Sequence, residues 1–173
     1  MKVIVQYKLD PLPLEPESLY ITLSDIGDKA EFHWALYLAK NPKAKEDTGS
    51  LYHATNSTVL KGFCFQVRHD YNPNVSVTFL TAVRIAVIHP DLWDSLGNVL
   101  SPPDVHSDGN LPINESTTCR TWVLRALQIL DDFRYIKLKD DALQKVEKQC
   151  LEIAQRNLIG KDRTVQRSLY SIT

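Results

Sequence analysis

Apolar and polar residues follow two rhythms along the 173 residues, a period of two in the first half and a period near 3.6 in the second. Lys2 to Tyr7 (KVIVQY) alternates and is β-branched, which predicts a strand; Asp10-Pro11-Leu12-Pro13 ends it, because proline has no ladder donor. Leu19 to Leu23 predicts a short strand or extended segment, and Ser24 to Ala30 a loop. Phe32 to Ala39 (FHWALYLA) is apolar at nearly every position, the pattern of a central strand buried on both faces. Asn41 to Ser50 is a solvated loop. Leu51 to Thr55 then returns as the partner of that strand in a hairpin. Gly62 to His69 (GFCFQVRH) is a further strand, with Phe63, Phe65 and Val67 on one face and Cys64 and Gln66 on the other. Val75 to Ile88 is a β-rich run that alternates near both ends and carries a bend or bulge between them.

The helical rhythm begins after His89-Pro90-Asp91, with proline opening a short helix over Leu92 to Leu100. Pro102 to Asn114 is a long irregular loop of the kind that borders sites. Ser116, Thr117 and Thr118 then cap a helix from about Thr118 to Asp131, whose stripe is Trp122, Val123, Ala126, Leu127 and Leu130. After a short extended piece, Tyr135 to Leu138, an amphipathic helix spans Asp140 to Asn157 and stops at Gly160. The tail, KDRTVQRSLYSIT, is expected to be mobile or a small basic patch. The elements predict an α+β fold, an antiparallel sheet from the first two-thirds with the Cys119 helix packed on it. Residues 1–173 form a single domain, without internal repeats or linkers.

Composition narrows the partners. The chain is 43% hydrophobic and 24% charged, with a net charge of −1 and a pI near 6.5, so any nucleic-acid contact has to be a local patch. Three scattered cysteines, Cys64, Cys119 and Cys150, do not make a disulfide framework, and an odd count fits a reducing compartment. No CxxC pair supports a thiolate zinc site, and no cofactor is expected. The N-terminus lacks a signal-peptide pattern, and no apolar run nears the roughly 18 residues of a membrane span. A soluble, cytoplasmic protein is expected.

The candidate chemistry starts at Cys119. A cysteine in the first turn of a helix sits where the dipole and the free amides favour a thiolate, although alone it reads as readily as a small core residue. A thiol nucleophile needs a base, and the base an orienting partner. His33 opens the central strand and His53 lies in the next. In a hairpin the two imidazoles fall near each other, His33 as base and His53 as the residue that holds it. Asn114, five residues before Cys119, is a candidate oxyanion donor as well as a turn residue, and the Cys119 amide is the more general donor. His69, His89 and His106 fall in turns or loops. No motif spacing supports a metal on His33, His53 and His69. Cys150, Trp34 and Trp122 read as packing residues.

HWALYL, then LYHAT, then a cysteine opening an amphipathic helix resembles the circularly permuted papain-like fold of the NlpC-type and lecithin:retinol acyltransferase-like thiol enzymes. On that resemblance His33 is the base, His53 the orienting residue and Cys119 the nucleophile. Thr118-Cys119-Arg120-Thr121-Trp122 departs from the Asn-Cys-Glu-His-Phe of the acyltransferase group, so lipid acyl transfer does not carry over. The wider series HWALYL, GSLYHAT, GFCFQVRHDYNP, VRIAVI and CRTWVLRAL is similar to small fungal proteins that include arginine-containing cyclodipeptide synthases. That resemblance implies an aminoacyl thioester on Cys119, drawn from aminoacyl-tRNA and released to an amine as a diketopiperazine. It also implies an acidic partner for a guanidinium, for which Asp70 and Asp104 are put forward, and phosphate contacts at Arg156, Lys161, Arg163 and Arg167. The residues themselves read first as a solvated helix face and tail. The alternatives are a cysteine peptidase or amidase with water as acceptor, and a non-catalytic binding protein that keeps the fold.

Overall fold

Phe32–Ala39 (β2) is apolar on both of its parities, and the chain places it in the middle of a sheet with a core on each face. The computed structural model describes residues 10–28, 31–56, 63–101, 111–112 and 117–172. Within them β1 (Ser18–Asp25), β2, β3 (Gly49–Asn56), β4 (Phe63–Arg68), β5 (Phe79–Val87), β6 (Leu111–Pro112) and β7 (Thr164–Arg167) form one sheet in the order β6-β4-β3-β2-β1-β5-β7. All neighbours are antiparallel except β5 and β7. The helices are α1 (Trp93–Leu100), which follows a 3-10 turn at Pro90–Leu92, α2 (Cys119–Asp132) and α3 (Ala142–Gly160).

Strand alternation separates the two cores. Phe32, Trp34, Leu36 and Leu38 of β2 pack with Leu19, Ile21 and Leu23 of β1 and with the helices, through Leu96, Trp122, Val123, Leu127, Val146 and Ile153. Ala35, Tyr37 and Ala39 face the other way, onto a smaller core with Tyr20, Leu51, Phe79 and Ala82, closed by Leu12 and Leu14. The bend expected in the Val75 to Ile88 run is present as two register shifts between β5 and β1. They let both Leu80 and Ile85 join the helix-side core.

One expectation is corrected. The C-terminal tail is neither mobile nor only a charged surface: Thr164–Arg167 pairs in parallel with β5, and Leu138 bridges Ser171, so the sheet is mixed. Its alternation is too short to be read as a strand, and its order comes from tertiary pairing. Helix α3 ends at Gly160 as expected, and Lys161 takes the left-handed cap conformation at φ 55°. The expected strand at Lys2 to Tyr7 lies outside the described residues.

Helix α2 is seated by its stripe. Trp122, Val123, Ala126, Leu127 and Leu130 are all buried, and the Trp122 ring lies 5.5 Å from that of Phe65 on β4. Removing the indole leaves a cavity under the opening of the helix. Trp122→Ala is expected to cost about 3–5 kcal/mol in urea denaturation. A second strict position is Gly49, where an added Cβ would fall on the Leu38 carbonyl oxygen and lie 2.6 Å from Tyr37 Oη. Gly49→Ala is expected to destabilise by roughly 1–3 kcal/mol, read in the same assay.

Candidate functional site

The pairing of β2 with β3 stops short of the ends of both strands. Leu36 to Ala39 pair with Tyr52 to Gly49, and the ladder goes no further along β2. Beyond that point the N-terminal end of β2 and the C-terminal end of β3 border a cleft of about 770 Å³. Ile26, Phe32, Trp34, Phe63 and Leu151 give it apolar walls, Glu31 and Glu147 bring carboxylates, and His33 and Cys119 both open onto it.

Cys119 is the first residue of α2. Thr118 Oγ1 accepts the Thr121 amide at 3.2 Å, and Thr121 Oγ1 accepts the Thr118 amide at 2.9 Å. This reciprocal cap stops the helix at that residue and leaves the Cys119 amide in the opening turn, where helix N–H groups lack intrahelical partners. The Sγ atom donates to the Phe32 carbonyl at 3.7 Å. Among the described residues no hydrogen bond joins Sγ to either imidazole. Cys119 is half-buried, whereas Cys64 and Cys150 are buried and burial pushes both of their thiols up. Of the three, Cys119 alone combines partial exposure with the cleft.

His33 and His53 meet as the hairpin implied. His33 Nε2 lies 2.7 Å from His53 Nδ1, with the rings nearly perpendicular and their centroids 5.0 Å apart. His53 Nε2 lies 3.0 Å from Gln66 Oε1, on the strand register that sets His53 opposite Gln66. Alternation turns His33 to the side of Ala35 and Tyr37, away from the helices, while Phe32 and its carbonyl meet Cys119. Thiol and imidazole therefore leave β2 on opposite faces of the sheet, and both line the cleft at its end. Burial, and then the neighbouring His53, push His33 down to about 4. Burial lowers His53 as well, aided by Arg68 and opposed by the Gln66 hydrogen bond. Both rings are neutral near pH 7.

The remaining sequence-predicted residues do not gather here. Asp70 holds a left-handed turn (φ 54°) after the far end of β4, roughly 20 Å of strand from the cleft, and does not line it. Asn114 and Asp104 lie outside the described residues. Of the proposed phosphate contacts, Arg156 and Lys161 are exposed, but two are already engaged. Arg163 donates to the carbonyls of Pro73 and Asn74 at 3.1 and 3.3 Å and stacks over Phe79, and Arg167 pairs with Glu15 at 3.2 Å. The role of Gln66 has no motif to announce it. Its signal is a polar residue between Phe65 and Val67, in a strand that follows one carrying a histidine. The ion pair of Arg120 with Glu147, which joins α2 to α3 at the cleft, is equally silent in sequence, because the partners are 27 residues apart.

An α+β protein with a thiol, an imidazole pair and a cleft at one end of a sheet is the class these features define. Residues 19–137 match the model of a family of unknown function, DUF6540, and the chain belongs to that family. The matched span contains His33, His53, Gln66 and Cys119, and ends before α3 and β7. Comparison with curated proteins and with solved structures gave no match. No helix among the described residues is long and apolar enough to cross a membrane.

The neutral imidazoles set an acid limit. Above pH 6.5 a histidine is unprotonated in both folded and unfolded chains, and the pair leaves stability unchanged. Below 6.5 the unfolded chain takes up protons that folded His33 refuses until about pH 4, so stability falls across that window. Urea midpoints are expected to drop from pH 6.5 to 4 in the native protein, and less steeply in His33→Asn. Equal slopes would show that the ring is not held neutral.

Proposed function

We propose that the protein is a thiol enzyme that transfers acyl groups through Cys119, with His33 as general base and His53 as the residue that orients it. The observation that carries this reading is the chain Gln66–His53–His33 ending on a cleft that also receives a capped cysteine. His33 Nε2 is committed to His53, so Nδ1 is the ring nitrogen available to the thiol. Sγ leaves the Phe32 carbonyl and passes its proton to His33 Nδ1 as sulfur attacks the substrate carbonyl carbon. The bond from that carbon to the leaving group then breaks, and the leaving atom takes the proton from Nδ1. The Cys119 amide is placed to donate to the developing oxyanion. A second heteroatom acceptor then attacks the acyl carbon as it gives up a proton to the same nitrogen, the carbon–sulfur bond breaks, and sulfur takes that proton back from Nδ1 to regenerate the thiol. This is the arrangement expected of a permuted papain-like fold, and the sheet with its cysteine helix supports it at the level of architecture.

The acceptor divides the readings. With an amine the product is an amide, and the aminoacyl-tRNA-dependent cyclodipeptide synthesis implied by the resemblance is the specific form proposed. With water the enzyme is a hydrolase. Of the four basic residues put forward, the engagement of Arg163 and Arg167 leaves Arg156 and Lys161 exposed for a phosphate backbone. The test is mass spectrometry after incubation with arginyl-tRNA and a mixture of free and tRNA-borne amino acids. Mass added at Cys119 together with an arginine-containing diketopiperazine is expected. Release of free arginine alone assigns the hydrolase, and no adduct with any aminoacyl-tRNA or activated ester sinks thiol catalysis. Cys119→Ala is expected to abolish the adduct, and His33→Ala to slow its formation by about 10²–10⁴-fold.

A further inference from the structure

We propose that Gln66 is a positioning residue that decides which nitrogen of His33 is left without a proton. A primary-amide oxygen only accepts, so His53 Nε2, 3.0 Å from Gln66 Oε1, must carry the hydrogen of that bond. A neutral His53 then has a bare Nδ1. That lone pair faces His33 Nε2 at 2.7 Å, so His33 Nε2 is the donor of the next bond. A neutral His33 whose hydrogen is on Nε2 has its lone pair on Nδ1. Each bond forces the next, and one amide oxygen on β4 fixes a basic site on β2, two strands away.

The rest of the surroundings leave this role to Gln66. Gln66 and His53 do not line the cleft, and His33 does, so only one end of the chain opens onto it. The positive Arg68 beside His53 disfavours a second proton on that ring. On the open side stand Cys119, Glu31 and Glu147, and Glu147 is tied to Arg120. Turning the amide round would put N–H donors on His53 Nε2 and force its hydrogen to Nδ1. His53 would then donate to His33 Nε2, and the hydrogen of His33 would stand on Nδ1. A base would become a donor without any movement of either ring.

This rests on the reading of His33 as the base of Cys119, but its test reads ring protons and not turnover. Histidine labelled with ¹⁵N, observed by NMR at pH 8 where both rings are neutral, is expected to show both protonated at Nε2. Gln66→Met keeps the length of the side chain and removes the acceptor. Losing one hydrogen bond worth about 1 kcal/mol should raise the share of His33 carrying its proton on Nδ1 about five-fold. Gln66→Glu keeps the shape and adds charge. It should draw a second proton onto His53, turn the His53–His33 bond round and move the His33 proton to Nδ1. The proposal is overturned if native His33 is protonated at Nδ1, or if both variants leave the tautomers as they were. Should Gln66→Met not fold, the Gln66→Glu spectrum decides alone. Native tautomers as expected in a protein that never acylates would leave this role of Gln66 standing and remove the enzyme reading.

Discussion

The register of β2 is the constraint on which the rest of the structure depends. All eight of its residues pair with β1, from Ala39 opposite Ser18 to Phe32 opposite Asp25. Because side chains alternate, that register sends Phe32, Trp34, Leu36 and Leu38 to the helices and His33, Ala35, Tyr37 and Ala39 to the other core. A slip of one residue would bury His33 against α2 and turn Trp34 out of the main core. The two apolar sets on one strand thus fix the imidazole's side of the sheet with more certainty than any polar contact could. β3 follows β2 for only four residues before its ladder ends, and the hydrogen bond of His33 with His53 spans the strands where the backbone no longer does.

Electrostatics favour a neutral resting site. His33 is held to about 4 by burial and by its neighbour, so near pH 7 it stands as a free base. The thiol meanwhile donates to a backbone carbonyl, an acceptor that cannot take the proton. The proposed chemistry therefore begins from thiol and imidazole, with charge developing only as sulfur attacks. In such a scheme the tautomer matters more than the proton affinity. A ring presenting N–H to the thiol cannot act as a base whatever its pKa, and hydrogen bonds remote from the cleft choose between the two forms.

Much of this was legible in the sequence, for reasons that belong to particular residues. FHWALYLA has no polar residue after His33, and a strand with two apolar faces has few places to go except the centre of a sheet. Thr118 and Cys119 were readable as cap and first turn because the helix stripe starts three residues later at Trp122. The hairpin brought His33 and His53 together because its two strands announce themselves. What the sequence hid was long-range or context-dependent. Thr164–Arg167 is a strand because β5 offers it an edge, and nothing in TVQR demands one. Arg163 and Arg167 looked free as members of a basic tail, yet one closes a turn at Pro73 and the other pairs with Glu15. Gln66 was placed on the correct face, but only the pairing of β3 with β4 sets it against His53. Asp70 was readable as a turn residue, but only the fold shows that this turn lies away from the cleft.

What separates the thiol from the imidazole is the peptide between Phe32 and His33. Cys119 touches its carbonyl from the helix side, and the His33 ring leaves from the other. A thiol is a weak donor, so the bond to Phe32 costs little to break, and a change of rotamer at Cys119 is the smallest motion that frees it. Both groups border the cleft at the end of the sheet, where β2 and β3 no longer pair. The imidazole pair, joined to β4 through Gln66, takes over the task of holding the two strands at a fixed separation.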